Sequence, residues 1–230
     1  MPYVTTQDTV HTLYLGTEGD ESDTDNRFGI DWLDSINACL DEVVDKKRGA
    51  LVITATGKFF SNGLDVEYIG ANGDTLPAYL DRVHALYTRI LTFPQPTVSA
   101  INGHAFGAGA MLALCADHRL MRTERGFWSL PEIQLGMPFT RGMATLLRTR
   151  LTDATATEAM TTGRRYGGLD AVTAGIVEQA VDIGALPSTA SDIAASRGPL
   201  AGPALEMIKK GLRAPLLADL AYPTPSSLVG

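Results

Sequence analysis

Near the start of the chain Val10, Thr12 and Tyr14 alternate with His11, Leu13 and Leu15, and this Thr/Val/Tyr-rich pattern predicts a strand running up to Gly16. A polar, acidic stretch follows from Glu18 to Asn26. Phe28, Ile30, Leu33, Ile36, Leu40, Val43 and Val44 then recur at helical spacing. Asn26 is placed to cap this helix, Lys46, Lys47 and Arg48 suit its negative end, and Gly49 stops it. ALVITAT (50–56) is a continuous apolar run of strand length, the pattern of a strand buried in a parallel sheet. Residues 75–93 return to a helical period, closed by Phe93-Pro94-Gln95-Pro96. TVSAI (97–101) reads as another short buried strand, residues 110–115 as helix, and HRLMR (118–122) and FWSL (127–130) as strands. From residue 138 helical patterns dominate, apart from GIVEQAV (175–181), which has room for a short strand. LEMIKKGL (205–212) gathers its apolar residues on one face, which needs the core or a neighbouring subunit to cover it, and the Pro/Ser-rich end reads as loosely ordered. Strand–helix alternation followed by a helical tail predicts an α/β fold, with no strict sequence period.

Composition narrows the function classes. The 230 residues carry 26 acidic and 19 basic side chains, a net charge of −7, which leaves no electrostatic footprint for nucleic acid or an anionic membrane. Cys39 and Cys115 are too few for a disulfide scaffold, and the histidines (His11, His84, His104, His118) are too scattered to argue a metal site. The segment MPYVTTQDTVHTLYL lacks a basic start and a long apolar run, so no signal peptide is read and a cytoplasmic protein is expected.

Familiar signatures fail. GAGAML (107–112) lacks the third glycine of a dinucleotide fingerprint, and GxxxxGK[ST], HExxH and GxSxG are absent. Asp20, Asp23 and Asp25 lack the glycine and terminal glutamate of a calcium loop and read as a solvated turn. Two glycine-bearing turns carry more. One runs Gly57-Lys58-Phe59-Phe60-Ser61-Asn62-Gly63-Leu64-Asp65 and the other Asn102-Gly103-His104-Ala105-Phe106-Gly107-Ala108-Gly109, each after a buried strand and before a helical pattern. Small residues there let the backbone approach a ligand, and the first N–H groups of a helix are free donors. Side by side, two such turns could clamp one negative oxygen; taken singly, each reads rather as a tight turn shaped by packing.

FFSNGLD (59–65), AINGHAFGAGAMLALCADHRLMR (100–122) and LPEIQLGMPF (130–139) together resemble the crotonase superfamily, the enoyl-CoA hydratase/isomerase family. DNRFGIDWLDSINACLDEV (25–43) and EAMTTGRRYGGLDAVTAGIVEQAV (158–181) extend the resemblance over residues 9–182. It implies a spiral of ββα repeats over residues 1–162 that holds the acyl-CoA site. Residues 163–230 would form a mostly helical region that builds a homotrimer or a dimer of trimers. It also implies an acyl-CoA thioester substrate, with no cofactor beyond the coenzyme A that the substrate carries. The thioester oxygen would be held by the peptide N–H groups of Leu64 and Ala108. Lys58, Phe60, Ser61, Asn62, Gly63 and Asp65 would lie along the coenzyme A path. Phe106, Gly107, Met111, Trp128 and Phe139 would lie around the acyl group, the aromatic residues among them being equally suited to the core.

Hydratases of the family use two glutamates to hold and activate water. Here the first place is Met111, whose thioether has no useful basicity, and the second is Glu132. One glutamate kept and one lost resembles the Δ3,Δ2-enoyl-CoA isomerase branch, as does RTERGFWSLPEIQLG (122–136). A dienoyl-CoA isomerase would need acids at Met111 and Thr140. A hydratase would need a substitute acid, such as Glu124 or Asp65. A fold that binds acyl-CoA without turnover is the remaining alternative. His104 recurs in the family's turn and reads as packing rather than catalysis.

Overall fold

The computed structural model describes residues 1–20, 22 and 25–226. Part of the acidic stretch, including Asp23, and the last residues of the Pro/Ser-rich end lie outside the described residues. The chain runs β1 (Tyr3–Gln7), β2 (Val10–Tyr14), α1 (Ile30–Asp45), β3 (Ala50–Thr54), β4 (Phe59–Ser61), α2 (Val66–Ala71) and α3 (Leu76–Leu91). It continues through β5 (Thr97–Ile101), β6 (His104–Phe106), α4 (Ala108–Cys115), β7 (His118–Arg122), β8 (Trp128–Ser129) and a 3-10 turn (Pro131–Leu135). The helical tail comprises α5 (Arg141–Arg150), α6 (Asp153–Thr162), α7 (Gly168–Thr173), α8 (Leu186–Arg197), α9 (Pro203–Leu212) and α10 (Ala214–Leu220), interrupted by β9 (Gln179–Val181).

The strands form two sheets, one ordered β1-β2-β3-β5-β7-β9 and a smaller one ordered β4-β6-β8. Within each consecutive strand pair, β3–β4, β5–β6 and β7–β8, the first member joins the large sheet and the second the small one, and a helical segment follows. Neighbouring repeats therefore stack with parallel strands, Leu51 beside Thr97 and Val98 beside His118 in the large sheet, Phe59 beside His104 in the small one. This is the ββα spiral that the family resemblance implied, and β3 and β5, read from their apolar runs as strands of a parallel sheet, are buried along nearly their whole length.

Three local readings change. The first strand gains an antiparallel partner, β1, through a turn at Asp8 (φ +52). Asn26 does not cap α1; Gly29 stands at that position with no side-chain cap, while Asn26 sits at φ +48 and its amide donates to the carbonyls of Phe59 and Phe60, both at 3.1 Å. In α9, Met207, Ile208 and Leu212 are exposed and Lys209 is the residue that turns inward, because its ammonium meets Asp117 and the Gln95 carbonyl. The tail is knitted into the spiral. β9 extends the large sheet beside β7, and Trp128 and Tyr166 exchange backbone hydrogen bonds at 2.9 Å in both directions.

Candidate functional site

The two glycine-bearing turns meet where β4 gives way to α2 and β6 to α4. Gly63 (φ +84) lies so close to the other turn that a Cβ there would stand 2.7 Å from the Phe106 carbonyl oxygen and 3.0 Å from the Ala108 nitrogen. Gly107 has φ +51 and ψ −120, a conformation that side chains rarely adopt, and a Cβ on it would lie 3.1 Å from Glu132 Oε1. Both glycines are thus required by backbone conformation and by close approach together.

Peptide geometry then orients the two N–H groups. The Gly63 carbonyl accepts from Phe28 N–H at 2.9 Å, and the Gly107 carbonyl accepts from Met111 N–H at 3.0 Å as the opening bond of α4. In a trans peptide C=O and N–H point opposite ways. The N–H groups of Leu64 and Ala108 therefore face away from those partners, and among the described residues neither meets an acceptor. Both residues line one cavity of about 240 Å³ together with Arg27, Asn62, Val66, Phe106, Gly107, Pro131, Glu132, Leu135 and Met137.

The turns are braced from behind. Ser61 Oγ donates to the Asn26 carbonyl at 2.7 Å and accepts from Gly63 N–H at 3.1 Å. Tyr87 donates to the Ala108 carbonyl at 2.8 Å and Trp128 Nε1 to the Ala110 carbonyl at 3.0 Å, so two buried aromatic residues fix the first turn of α4. Tyr79 accepts from Asp65 N–H at 3.0 Å and donates to the Phe28 carbonyl at 2.8 Å.

Glu132 enters the cavity from the 3-10 turn at Pro131–Leu135, which Gly136 closes in the left-handed region. Its carboxyl pKa is pushed up to about 7 by burial, against a smaller opposing pull from its own backbone N–H. Oε2 is buried with no hydrogen-bond partner in the described structure. The arrangement offers two free donors and one carboxyl that can take or give a proton near neutrality.

Of the residues expected from sequence, Leu64, Ala108, Glu132, Asn62, Phe106 and Gly107 converge on this cavity. Gly63 shapes the turn, and Asp65 caps α2 by accepting from the N–H groups of Glu67 and Tyr68. Phe60, Ser61, Met111 and Trp128 are buried and are not part of the lining; Met111 and Trp128 belong to the main hydrophobic cluster and Phe139 packs against it. Lys58 lies in a separate depression with His104, Arg122 and Glu124, its ammonium 5.2 Å from the Phe59 ring centre. His104 packs among Phe59, Phe106 and Phe127. Arg27, Val66, Pro131, Leu135 and Met137 line the cavity without having been singled out. Four of the five fall inside the quoted motif segments, and Val66 follows one directly, so the signal was present but carried no chemistry of its own. Among the described residues there is no group of three or more His, Cys, Asp or Glu fit to hold a metal, and no helix long and apolar enough to cross a membrane.

The Enoyl-CoA hydratase/isomerase family model matches residues 23–221. The chain belongs to that family. Within it, the chain is 34% identical over 168 residues to enoyl-CoA delta isomerase 2, peroxisomal, of Arabidopsis thaliana, covering 69% of this chain and 70% of the relative. It is also 34% identical over 165 residues to carnitinyl-CoA dehydratase of Escherichia coli strain K12, covering 70% of this chain and 62% of that enzyme. A Mycobacterium tuberculosis protein, described with one structure as an enoyl-CoA isomerase and with another as a probable enoyl-CoA hydratase, superposes with a TM-score of 0.86 at 26% identity, over 95% of this chain and, in the isomerase structure, 93% of the other. The human mitochondrial delta3-delta2-enoyl-CoA isomerase has the same fold, with a TM-score of 0.86 at 24% identity over 99% of this chain and 88% of its own. Family membership establishes the crotonase fold and an enzyme of the enoyl-CoA hydratase/isomerase family. Relatives that isomerise and relatives that dehydrate are both present, so the chemistry within the family rests on the site.

Proposed function

We propose that the protein is a Δ3,Δ2-enoyl-CoA isomerase working with one carboxyl group. The observation that carries this reading is that Glu132 is the sole carboxylic acid among the described residues lining the cavity, with its pKa raised to about 7. The residues that might have supplied a second acid are engaged elsewhere. Asp65 caps α2, Glu124 accepts from Ile183 N–H and pairs with Arg122, and the remaining place is Met111.

A 3-enoyl thioester loses a C2 proton to the Glu132 carboxylate, and the electron pair delocalises through the C3–C4 double bond and onto the thioester oxygen. The N–H groups of Leu64 and Ala108 hold that oxygen; one such donor is typically worth about 10²–10³ in kcat. The protonated Glu132 then delivers the proton to C4, leaving the double bond between C2 and C3. No atom is gained or lost and no redox partner enters; coenzyme A arrives as part of the substrate. An apolar lining supports this reading, since it raises the basicity of Glu132 and disfavours the bound water that hydration requires. A trimer, alone or paired, is the assembly proposed, supported by the uncovered Met207, Ile208 and Leu212 on α9, and light scattering on the purified protein tests it.

The test of the chemistry uses two substrates. With a trans-3-enoyl-CoA, absorbance of the conjugated thioester should rise; with the 2-enoyl-CoA it should hold. Loss of absorbance in the second arm means water is added and overturns the isomerase reading in favour of a hydratase. Silence in both arms with retained acyl-CoA binding identifies a binding protein.

A further inference from the structure

Arg27 is the lone cation among the described residues that line the cavity. It is fixed relative to the thioester site by backbone on both sides, since Asn62 N–H donates to the Asp25 carbonyl at 2.8 Å and Phe28 N–H to the Gly63 carbonyl at 2.9 Å. Its side chain is 30% exposed, which places the guanidinium at the rim. Two carboxylates share it, Asp25 at 2.8 Å and Glu67 at 3.3 Å.

That pairing is lopsided. Two acids on one guanidinium leave the Arg27–Asp25–Glu67 cluster itself net negative, in a chain already at −7, whereas coenzyme A is a polyanion. One acid must yield for the ligand to enter. Asp25 is the closer and less exposed partner, while Glu67 is 86% exposed and its pair with Arg27 is of the kind that adds almost nothing to stability. Glu67 sits in the first turn of α2, whose cap is Asp65, so freeing its side chain leaves the helix cap intact. A phosphate offers the planar fork of Arg27 two oxygens at once.

We propose that Arg27 anchors a phosphate of the coenzyme A nucleotide arm, and that Glu67 is an internal stand-in that the phosphate displaces. This rests on the acyl-CoA reading of the cavity. It makes Arg27 a binding residue and Glu67 a competitor, so the two substitutions act in opposite directions.

The experiment is calorimetric titration of the full-length protein with a saturated acyl-CoA and with the matching acyl-pantetheine thioester, which lacks every phosphate. Arg27→Gln should raise Kd for the acyl-CoA by about ten- to hundredfold, the range for losing a charge-assisted hydrogen bond. Glu67→Gln should lower it severalfold, and both effects should be confined to the ligand that carries phosphates. Arg27→Gln weakening both thioesters equally, or neither, overturns the assignment, as does Glu67→Gln weakening the acyl-CoA. Should Arg27→Gln fail to fold, the Glu67 variant decides alone: tightening confined to acyl-CoA supports the stand-in, and no change overturns it. Binding is read without turnover, so a protein that passes here yet moves no double bond overturns the isomerase reading and leaves this one standing.

Discussion

Two half-buried carboxyl groups, Glu132 in the cavity and Asp117 under the C-terminal helices, take opposite courses although desolvation pushes both the same way. Burial is the largest influence on each and pushes both pKa values up. Glu132 meets no cation and stays raised, at about 7. Asp117 ends below its usual value because Lys209, the Thr97 backbone N–H and Arg213 together outweigh burial. It accepts from Thr97 N–H at 2.9 Å and Thr97 Oγ1 at 3.0 Å, and pairs with Lys209 and with Arg213 at 3.2 Å. One region keeps a carboxyl short of partners, which suits proton transfer; the other saturates it, which ties α9 and α10 to the core. Partner supply, not burial, separates the carboxyl whose pKa is raised from the one whose pKa is lowered.

Removing each acid sharpens that contrast. Glu132→Gln should cut isomerase kcat by about 10²–10⁴, read as loss of the conjugated-thioester signal, with acyl-CoA binding retained. Asp117→Ala strands Lys209 and Arg213 without their counter-charge and should cost about 3–5 kcal/mol in urea unfolding. Equal stability of that variant and the parent would break the comparison.

The pH dependences carry opposite signs. Glu132 binds its proton more tightly folded than unfolded (about 7 against 4.5), so its contribution favours folding at low pH and fades as pH rises through 7, by about 3 kcal/mol. At pH 8, where the parent carries the isolated charge, Glu132→Gln should therefore be more stable by about 2–3 kcal/mol, and near pH 4.5 the gain should vanish; thermal unfolding at both values checks it. The kcat/KM of the parent should rise with pH through an inflection near 7, since in the proposed mechanism the carboxylate is the form that abstracts the proton. Asp117 stabilises the fold above its unfolded pKa of about 3.8 and loses that contribution only in stronger acid.

Gly107→Ala should follow in size. It combines an unfavourable φ/ψ, about 1–3 kcal/mol, with a Cβ pressed on Glu132 Oε1, so kcat should fall together with stability. Tyr87→Phe should be mildest, about 1 kcal/mol, since it removes one neutral hydrogen bond to the Ala108 carbonyl and leaves the packing in place. A much larger loss of activity than of stability there would mean that the aim of the Ala108 N–H is unusually sensitive to its brace.

Much of this architecture was legible in the chain before folding was considered. ALVITAT and TVSAI pointed to buried parallel strands because a strand covered on both faces reads as a near-continuous apolar run rather than an alternation, and the two glycine turns left room for a close backbone approach. Glu132 was recognisable from its motif. Other features escaped local pattern because their causes lie far along the sequence. Asn26 serves the carbonyls of Phe59 and Phe60 rather than the helix beginning beside it, and β1 acquires its identity from pairing with β2.

Lys209 shows the limit most plainly. By helical period it belongs on a wet face and Ile208 on a buried one, yet Asp117, ninety-two residues away, reverses that assignment, because a buried carboxylate demands a cation more strongly than an isoleucine demands cover. The raised pKa of Glu132 is of the same kind. Sequence determined which side chains were available and which segments would become strands, turns and helices, since those follow from neighbours a few residues apart. Which carboxyl would be left without a partner, which cation would reach the cavity rim and which N–H groups would face one cavity were decided only when distant segments packed, because desolvation and hydrogen-bond supply are properties of the assembled neighbourhood.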